Sequence, residues 1–132
     1  MSTRPHNDAR TVRSLALTLA LSACAAAPGA DDTQWPAGVR TQLAALRSDA
    51  VRRGGGDAAL WRVERIEAVT WPDGALGCPQ PGRLYTQALI PGHRVQLSAP
   101  GRAPLTYHTS ERGGWLWCAP SQAQAPLPRA VD

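Results

Sequence analysis

The twelve residues from 71 to 82 restrict the fold more than any other part of the sequence, because six of them are proline or glycine. Proline fixes the backbone angle φ and glycine tolerates positive φ, so a segment rich in both forms turns rather than a regular strand. The tripeptide Pro72-Asp73-Gly74 is a typical turn sequence. We therefore predict a stiff loop and regard it as a candidate binding loop. Its proposed binding residues are Trp71, Pro72, Asp73, Gly74, Leu76, Pro79 and Pro81.

Residues 36–53, which precede this loop, have the periodicity of an amphipathic helix. Pro36 is suited to the first turn, and the three glycines at 54–56 are expected to end the helix. The apolar stripe of this predicted helix consists of Val39, Leu43, Leu46 and Ala50.

Five short strands are predicted after residue 60, separated by Pro/Gly turns at 91–92, 100–102 and 111–114. The predicted strands cover residues 60–71, 84–90, 94–98, 105–108 and 115–118. In the first strand both parities carry apolar residues, which indicates a bulge or a strand covered on both faces. The helix must bury its apolar stripe on the strands. The predicted fold class is α+β, with one N-terminal amphipathic helix packed on a small antiparallel β-meander, in two layers.

The beginning of the sequence has the features of a secretory leader. A positively charged region precedes an apolar stretch at 15–21, which is too short to span a membrane. The stretch ends in a tetrapeptide that resembles the lipobox of bacterial lipoproteins, Leu21-Ser22-Ala23-Cys24. This resemblance implies that residues 1–23 are a cleaved signal peptide and that Cys24 carries diacylglycerol and a further acyl chain such as palmitate. The alternative is an ordinary signal peptide with an incidental cysteine.

Ala25 follows the lipobox cysteine, at the place where aspartate tends to retain Gram-negative lipoproteins in the inner membrane. The resemblance therefore implies a lipid anchor in the outer membrane, with the domain facing the periplasm. We expect residues 24–34 to form the lipidated cysteine and a flexible tether. Residues 35–119 would then form one small domain, and residues 120–132 a disordered tail.

The charge of the mature chain speaks against nucleic acid as a partner. The whole chain has 14 basic and 10 acidic residues, and residues 1–23 include three Arg and one Asp, so cleavage leaves 11 Arg against 9 acids and a net charge of +2. Such a small charge neutralises few phosphates. The expected partners are the membrane, through Cys24, and an envelope protein.

Cys78 and Cys118 are predicted to form a disulfide, because exported chains meet an oxidising compartment and lipidation would consume Cys24. Two alternatives remain open. Cys78, His93, His108 and Cys118 could bind zinc, although their spacing is unlike that of structural zinc sites. Alternatively, a free Cys78 could act as a nucleophile with His93 or His108 as its base.

Several motifs of this chain resemble a family of small secreted bacterial proteins without a characterised activity. The resemblance covers about residues 60–118. Members of that family usually have an aromatic residue at the position of His93, which speaks against a catalytic or metal-binding role for it. The resemblance implies a shared domain and names no activity. The motifs are Val69-Thr70 with the loop at 71–82, Tyr85-Thr86-Gln87, Pro91-Gly92-His93-Arg94-Val95 and Tyr107-His108-Thr109.

No sequence motif of a serine hydrolase, a zinc protease or a phosphate-binding loop is present. We therefore expect a lipid-anchored, non-catalytic binding module of the cell envelope, without a cofactor or a metal ion. One alternative is an inhibitor of an exported hydrolase acting through loop 71–82, because a rigid loop loses little entropy on binding. The other alternative is a small enzyme that uses Cys78 or His108.

Overall fold

The computed structural model describes residues 1–3 and 31–128. The predicted signal peptide, Cys24 and most of the predicted tether therefore lie outside the described residues. One-turn 3₁₀ helices occur at Asp32–Gln34 and Ala58–Leu60. The α-helices are α1 (Ala37–Arg40) and α2 (Leu43–Gly54), and the strands are β1 (Arg62–Trp71), β2 (Ile90–Ser98), β3 (Leu105–Ser110) and β4 (Trp115–Trp117).

The predicted helix over 36–53 is divided into α1 and α2. At the division Gln42 turns inward, and its amide Nε2 donates a hydrogen bond to the backbone oxygen of Ser110, 3.0 Å away. This bond ties the helical segment to the end of β3. The glycines end α2 as predicted, with Gly55 at φ +73°. All four residues of the predicted apolar stripe are buried, namely Val39, Leu43, Leu46 and Ala50.

The four strands form one antiparallel sheet in the order β1-β2-β3-β4, which is the meander expected from the turns. Helix α2 packs on one face of this sheet, so the α+β class is confirmed. The hydrophobic core lies between them. A bulge interrupts the β1–β2 register between Val63 and Arg65, and β1 also has cover on both faces. The buried core residues are Val39, Leu43, Leu46, Ala50, Trp61, Val95, Leu97, Ala99 and Tyr107.

Two of the predicted local structures are wrong. Residues 84–89 form no strand, because β1 pairs directly with β2, starting at Trp71 opposite Ile90. The described sheet therefore has four strands and not five. The predicted turn at Pro91-Gly92 lies inside β2. A proline is tolerated there because it is the second residue of the strand, and its carbonyl oxygen accepts a hydrogen bond from the Glu111 amide, 3.0 Å away.

The second face of the sheet is covered by irregular chain rather than by a helix. The loop at 72–82 and the segment at 119–128 lie on it. Hydrogen bonds from the Gln124 amide to the Gly77 carbonyl (2.8 Å) and from the Leu127 amide to the Thr70 carbonyl (3.0 Å) hold the segment there. Two residues of the predicted tail are thus hydrogen-bonded to the loop and to β1. The irregular chain on this face adds a third layer to the two that were predicted.

One residue of the predicted tether also contacts the helical segment. Asp32, which was assigned to the flexible tether, forms an ion pair with Arg47 of α2, with 2.6 Å between its Oδ2 and the Arg47 Nη1. Arg47 Nε in turn donates a hydrogen bond to the Trp61 carbonyl, 2.9 Å away. The 3₁₀ turn at Asp32–Gln34 therefore belongs to the folded domain.

Candidate functional site

The Pro/Gly loop owes its compact course to turns made by its own residues. Asp73 Oδ1 accepts a hydrogen bond from the Ala75 amide at 2.9 Å, which is a local side-chain turn. The next turn places Leu76 and Gly77 at φ +52° and +68°. This pair of left-handed residues bends the chain back over the sheet, so that Leu76 is buried and Cys78 approaches Cys118.

Trp71 is the residue around which this loop packs. Its indole is completely buried, and its Nε1 donates a hydrogen bond to the Thr109 carbonyl at 3.0 Å. The ring lies between two glycines. A Cβ added to Gly77 would come within 2.5 Å of the ring, and one added to Gly92 would approach Nε1 to 3.0 Å and overlap the Thr109 carbonyl.

The indole of Trp71 stacks on the imidazole of His108, with the ring centroids 4.4 Å apart. His108 Nδ1 lies 2.6 Å from the Leu76 carbonyl oxygen. A carbonyl can only accept, so Nδ1 carries a proton. Since the pKa of His108 is lowered, the imidazole is neutral and Nε2 has a free lone pair. Burial lowers the pKa of His108, with the hydrogen bond to Leu76 acting in the opposite direction and the charge of Arg94 lowering it further.

His108 Nε2 is buried and has no hydrogen-bond partner among the described residues. A pocket of about 330 Å³ opens on the second face of the sheet, with His108 in its lining. Strand pairing places the floor of the pocket in two rows, with Glu67, Arg94 and His108 in one and Arg65, Gln96 and Thr106 in the other. The wall consists of Cys118 and the segment after it. We call this cavity the polar pocket.

The charges of the polar pocket are arranged around Glu67. Arg94 Nη2 lies 2.7 Å from Glu67 Oε2, and Arg65 Nη2 lies 3.5 Å from the same oxygen. The volume is at the lower end of the range typical of small-molecule sites. The pocket could therefore hold a small polar molecule or one side chain of a partner.

The structure separates the residues of the predicted binding loop. Trp71 and Leu76 are buried, and four others are half-buried, so only Pro81 presents an exposed side chain. Trp71 and Leu76 therefore support the fold and cannot contact a partner. The half-buried residues are Pro72, Asp73, Gly74 and Pro79.

The exposed part of the excursion between β1 and β2 comes after the predicted loop, at residues 80–89. Its apolar side chains are open to solvent, with Leu84 fully exposed and Leu89 66 % exposed. The segment folds on itself through the Gln80 amide, which donates a hydrogen bond to the Tyr85 hydroxyl at 2.9 Å.

The predicted disulfide between Cys78 and Cys118 is present, with 5.8 Å between the two Cα atoms. A sulfur in a disulfide is neither a thiolate ligand nor a nucleophile. Cys78 and Cys118 are therefore not available for the predicted zinc site, and Cys78 is not available as the predicted nucleophile. The two histidines are also separated, because His93 lies on the helix-covered face and His108 on the other. The described residues include no group of three His, Cys, Asp or Glu side chains placed for a metal ion.

Sequence reasoning did not identify Arg65, Glu67, Arg94, Gln96 or Thr106 as site residues. The signal was partly visible, because Arg94 and Gln96 alternate with apolar residues in a predicted strand. The alternation could not show which strands lie side by side. It also could not show that the loop leaves this part of the sheet open.

The fold and the polar pocket define a small, disulfide-bridged α+β domain with a helix on one face of its sheet and a pocket on the other. The chain belongs to the family described as Domain of unknown function (DUF8738), whose model matches residues 43–118, more than half of the chain. No curated protein and no solved structure matches the chain. None of the helices described here combines the length and the apolar character needed to cross a bilayer.

Proposed function

We propose that this protein is a lipid-anchored component of the bacterial cell envelope that binds a ligand or partner without catalysis. The lipobox-like sequence before Cys24 supports the anchor, and Ala25 supports the outer membrane, with the domain facing the periplasm. The observation that carries the binding role is the polar pocket. It combines paired charges with a buried, neutral imidazole on a sheet that a disulfide holds in place.

The rigidity around the polar pocket supports binding. Strands β1, β2 and β3 fix its floor, and the Cys78–Cys118 bridge fixes the wall at Cys118. Side chains held in this way lose little conformational entropy when a ligand binds, which increases affinity. A binding module needs only this preorganisation. The carboxylate in the row of His108, Glu67, forms ion pairs with Arg94 and Arg65, which suits it to hold charges in place.

The anchor is tested with Cys24→Ala in the full-length precursor. Without the thiol no diacylglycerol can be attached, so we expect an unprocessed precursor that incorporates no labelled palmitate. The matched control is Ala25→Asp, which keeps the cysteine and should be processed and lipidated but move to the inner membrane. A processed Cys24→Ala protein on the membrane would show that the anchor is wrongly assigned.

The binding role is tested by photo-crosslinking in intact cells. A photoreactive residue at Gln96, in the floor of the polar pocket, is expected to give a reproducible adduct. The same residue at Arg112, an exposed position in the turn between β3 and β4, is the control and should give none. Equal labelling from both positions, or none from Gln96, would count against a binding role for the pocket.

The exposed leucines of residues 80–89 favour one second candidate, an inhibitor of an exported hydrolase. Leu84 and Leu89 are open to solvent on an excursion that the disulfide anchors at Cys78. In this candidate the contact surface is the outer part of the excursion together with Pro81. The test is to measure the activity of a panel of proteases and lysozymes incubated with the protein. An inhibitor lowers the rate of at least one of these enzymes, whereas a ligand-binding module lowers none.

A further inference from the structure

The described lining of the polar pocket has more positive than negative charge. Two arginines, Arg65 and Arg94, share the single carboxylate of Glu67 in its lining. The described lining residues therefore carry a net charge of +1, since His108 is neutral. A ligand with one negative charge would neutralise the pocket.

The second unsatisfied group is His108 Nε2. Its side chain is only 1 % exposed, and within the described part of the chain no donor reaches this nitrogen. A buried acceptor without a donor is unfavourable, because it has given up its hydrogen bonds to water. A ligand that brings an N–H or O–H group to Nε2 removes this cost.

Arg94 is the arginine of the polar pocket that lies beside His108 in the sheet. Arg94 and His108 are directly opposed in the β2–β3 pairing and project from the same face of the sheet. Side chains of such a pair begin about 4.5–5.5 Å apart at Cβ. A ligand that contacts both side chains would carry an anionic group and a hydrogen-bond donor close together.

We propose that the polar pocket binds a small monocarboxylate with a hydrogen-bond donor on its α carbon, such as an N-acylated α-amino acid. The carboxylate pairs with Arg94, with Arg65 at the rim, and the N–H donates to His108 Nε2. Glu67 holds the Arg94 guanidinium from the opposite side. This ligand class rests on the proposed binding function and specifies it.

Three matched probes separate the two contacts in calorimetric titrations of the purified full chain. N-acetylglycine has both the carboxylate and the N–H. N-acetylsarcosine replaces only the N–H hydrogen with a methyl group, and N-acetylglycine methyl ester removes only the charge. We expect binding about fivefold weaker without the N–H, and at least about tenfold weaker without the charge, because charge-assisted bonds are stronger.

Variants assign the two contacts to residues. Arg94→Gln should weaken N-acetylglycine at least about tenfold, whereas Arg112→Gln, an exposed arginine with the same loss of charge, should leave it unchanged. His108→Asn keeps an amide N–H close to the position of Nδ1, facing the Leu76 carbonyl, and removes Nε2. In this variant N-acetylglycine and N-acetylsarcosine should bind equally.

The outcomes are decisive because the probe comparison needs no variant. If His108→Asn fails to fold, the wild-type probes and Arg94→Gln still test both contacts. The ligand class is wrong if N-acetylglycine does not bind at up to about 10 mM, if the ester binds as well as the acid, or if Arg94→Gln binds normally. An adduct from Gln96 in cells together with any of these results would reject the ligand class and keep the binding function.

Discussion

At the scale of single residues, Trp71 connects the fold to the polar pocket. Its indole packs between Gly92 and Gly77. The ring donates a hydrogen bond to the Thr109 carbonyl and stacks on His108. The orientation of the imidazole therefore depends on a residue that lies outside the pocket. Both glycines are required because a side chain at either position would enter the space of the indole or of β3.

The first prediction concerns this packing. Gly92→Ala should lower the free energy of unfolding by about 3 kcal/mol, because its Cβ would overlap the Thr109 carbonyl and press on Trp71. The control is Gly38→Ala in α1, where an added Cβ meets nothing within 4 Å. This control should be stabilising by up to about 1 kcal/mol through helix propensity. Urea titrations followed by tryptophan fluorescence measure both, and equal stability of the two variants would contradict the packing.

At the scale of elements, helix α2 is fastened to the sheet by a buried polar contact as well as by apolar packing. The Tyr107 hydroxyl donates a hydrogen bond to Asp49 Oδ2 at 3.0 Å, and Arg53 Nε lies 2.5 Å from the same oxygen. Burial alone would raise the pKa of Asp49, but hydrogen bonds from Arg53, Tyr107 and Arg52 lower it below its ordinary value. Burial and the nearby carboxylate raise the pKa of Tyr107, which keeps its hydroxyl a donor.

The second prediction is the pH dependence of this contact. A carboxylate whose pKa is lower in the folded state stabilises the fold fully above its unfolded pKa, and this stabilisation is lost as the pH falls through the folded value. Asp49→Asn should therefore reduce the free energy of unfolding by about 1–2 kcal/mol at pH 7 and by much less at pH 2–3. Tyr107→Phe should change it in the same direction by a smaller amount. A stability difference between wild type and Asp49→Asn that does not change with pH would show that the contact contributes nothing.

The correct and the incorrect strand prediction differ in the tertiary surroundings of the predicted strand. Residues 94–98 alternate in sequence and form part of β2, because one parity packs under α2 and the other forms the floor of the polar pocket. Residues 84–89 were also predicted to form a strand, but they pair with no strand of the described sheet and are mostly exposed. Strand propensity depends strongly on such context, so the local sequence alone could not separate the two.

At the scale of the whole molecule, the disulfide holds the irregular third layer in place. It joins the loop on the second face to the residue after β4, and the two cysteines, 40 positions apart in sequence, close one covalent loop. The bridge, together with the backbone hydrogen bonds of residues 124 and 127, gives the second face a cover that contains no regular element.

The third prediction is the contribution of this bridge to stability. For a loop of this length the chain-entropy model gives about 4 kcal/mol, so reduction or the double variant Cys78→Ala/Cys118→Ala should lower the free energy of unfolding by up to that amount. Denaturant titrations with and without reductant measure it. A thiol count on the unreduced protein is the control, and two reactive thiols from Cys78 and Cys118 would contradict the bridge.

The sequence by itself determined the features that depend on local chemistry. The spacing of Val39, Leu43, Leu46 and Ala50 fixed the buried side of the helical segment, and Gly54 to Gly56 fixed its end. The Pro/Gly turns after β2 and β3 fixed the antiparallel meander. The two cysteines were paired correctly because lipidation of the third, at Cys24, was assumed in the argument, and that assumption stays a prediction.

Only the tertiary structure decided what lies on the second face of the sheet. The loop at 71–82 was predicted to present its side chains to a partner, but Trp71 and Leu76 lie buried against the second face of the sheet. The segment at 119–128 has no periodicity, and its hydrogen bonds at residues 124 and 127 go to residues far away in the chain. The polar pocket is the part of the face that these two segments leave open, and its residues come from three strands whose adjacency depends on long-range pairing.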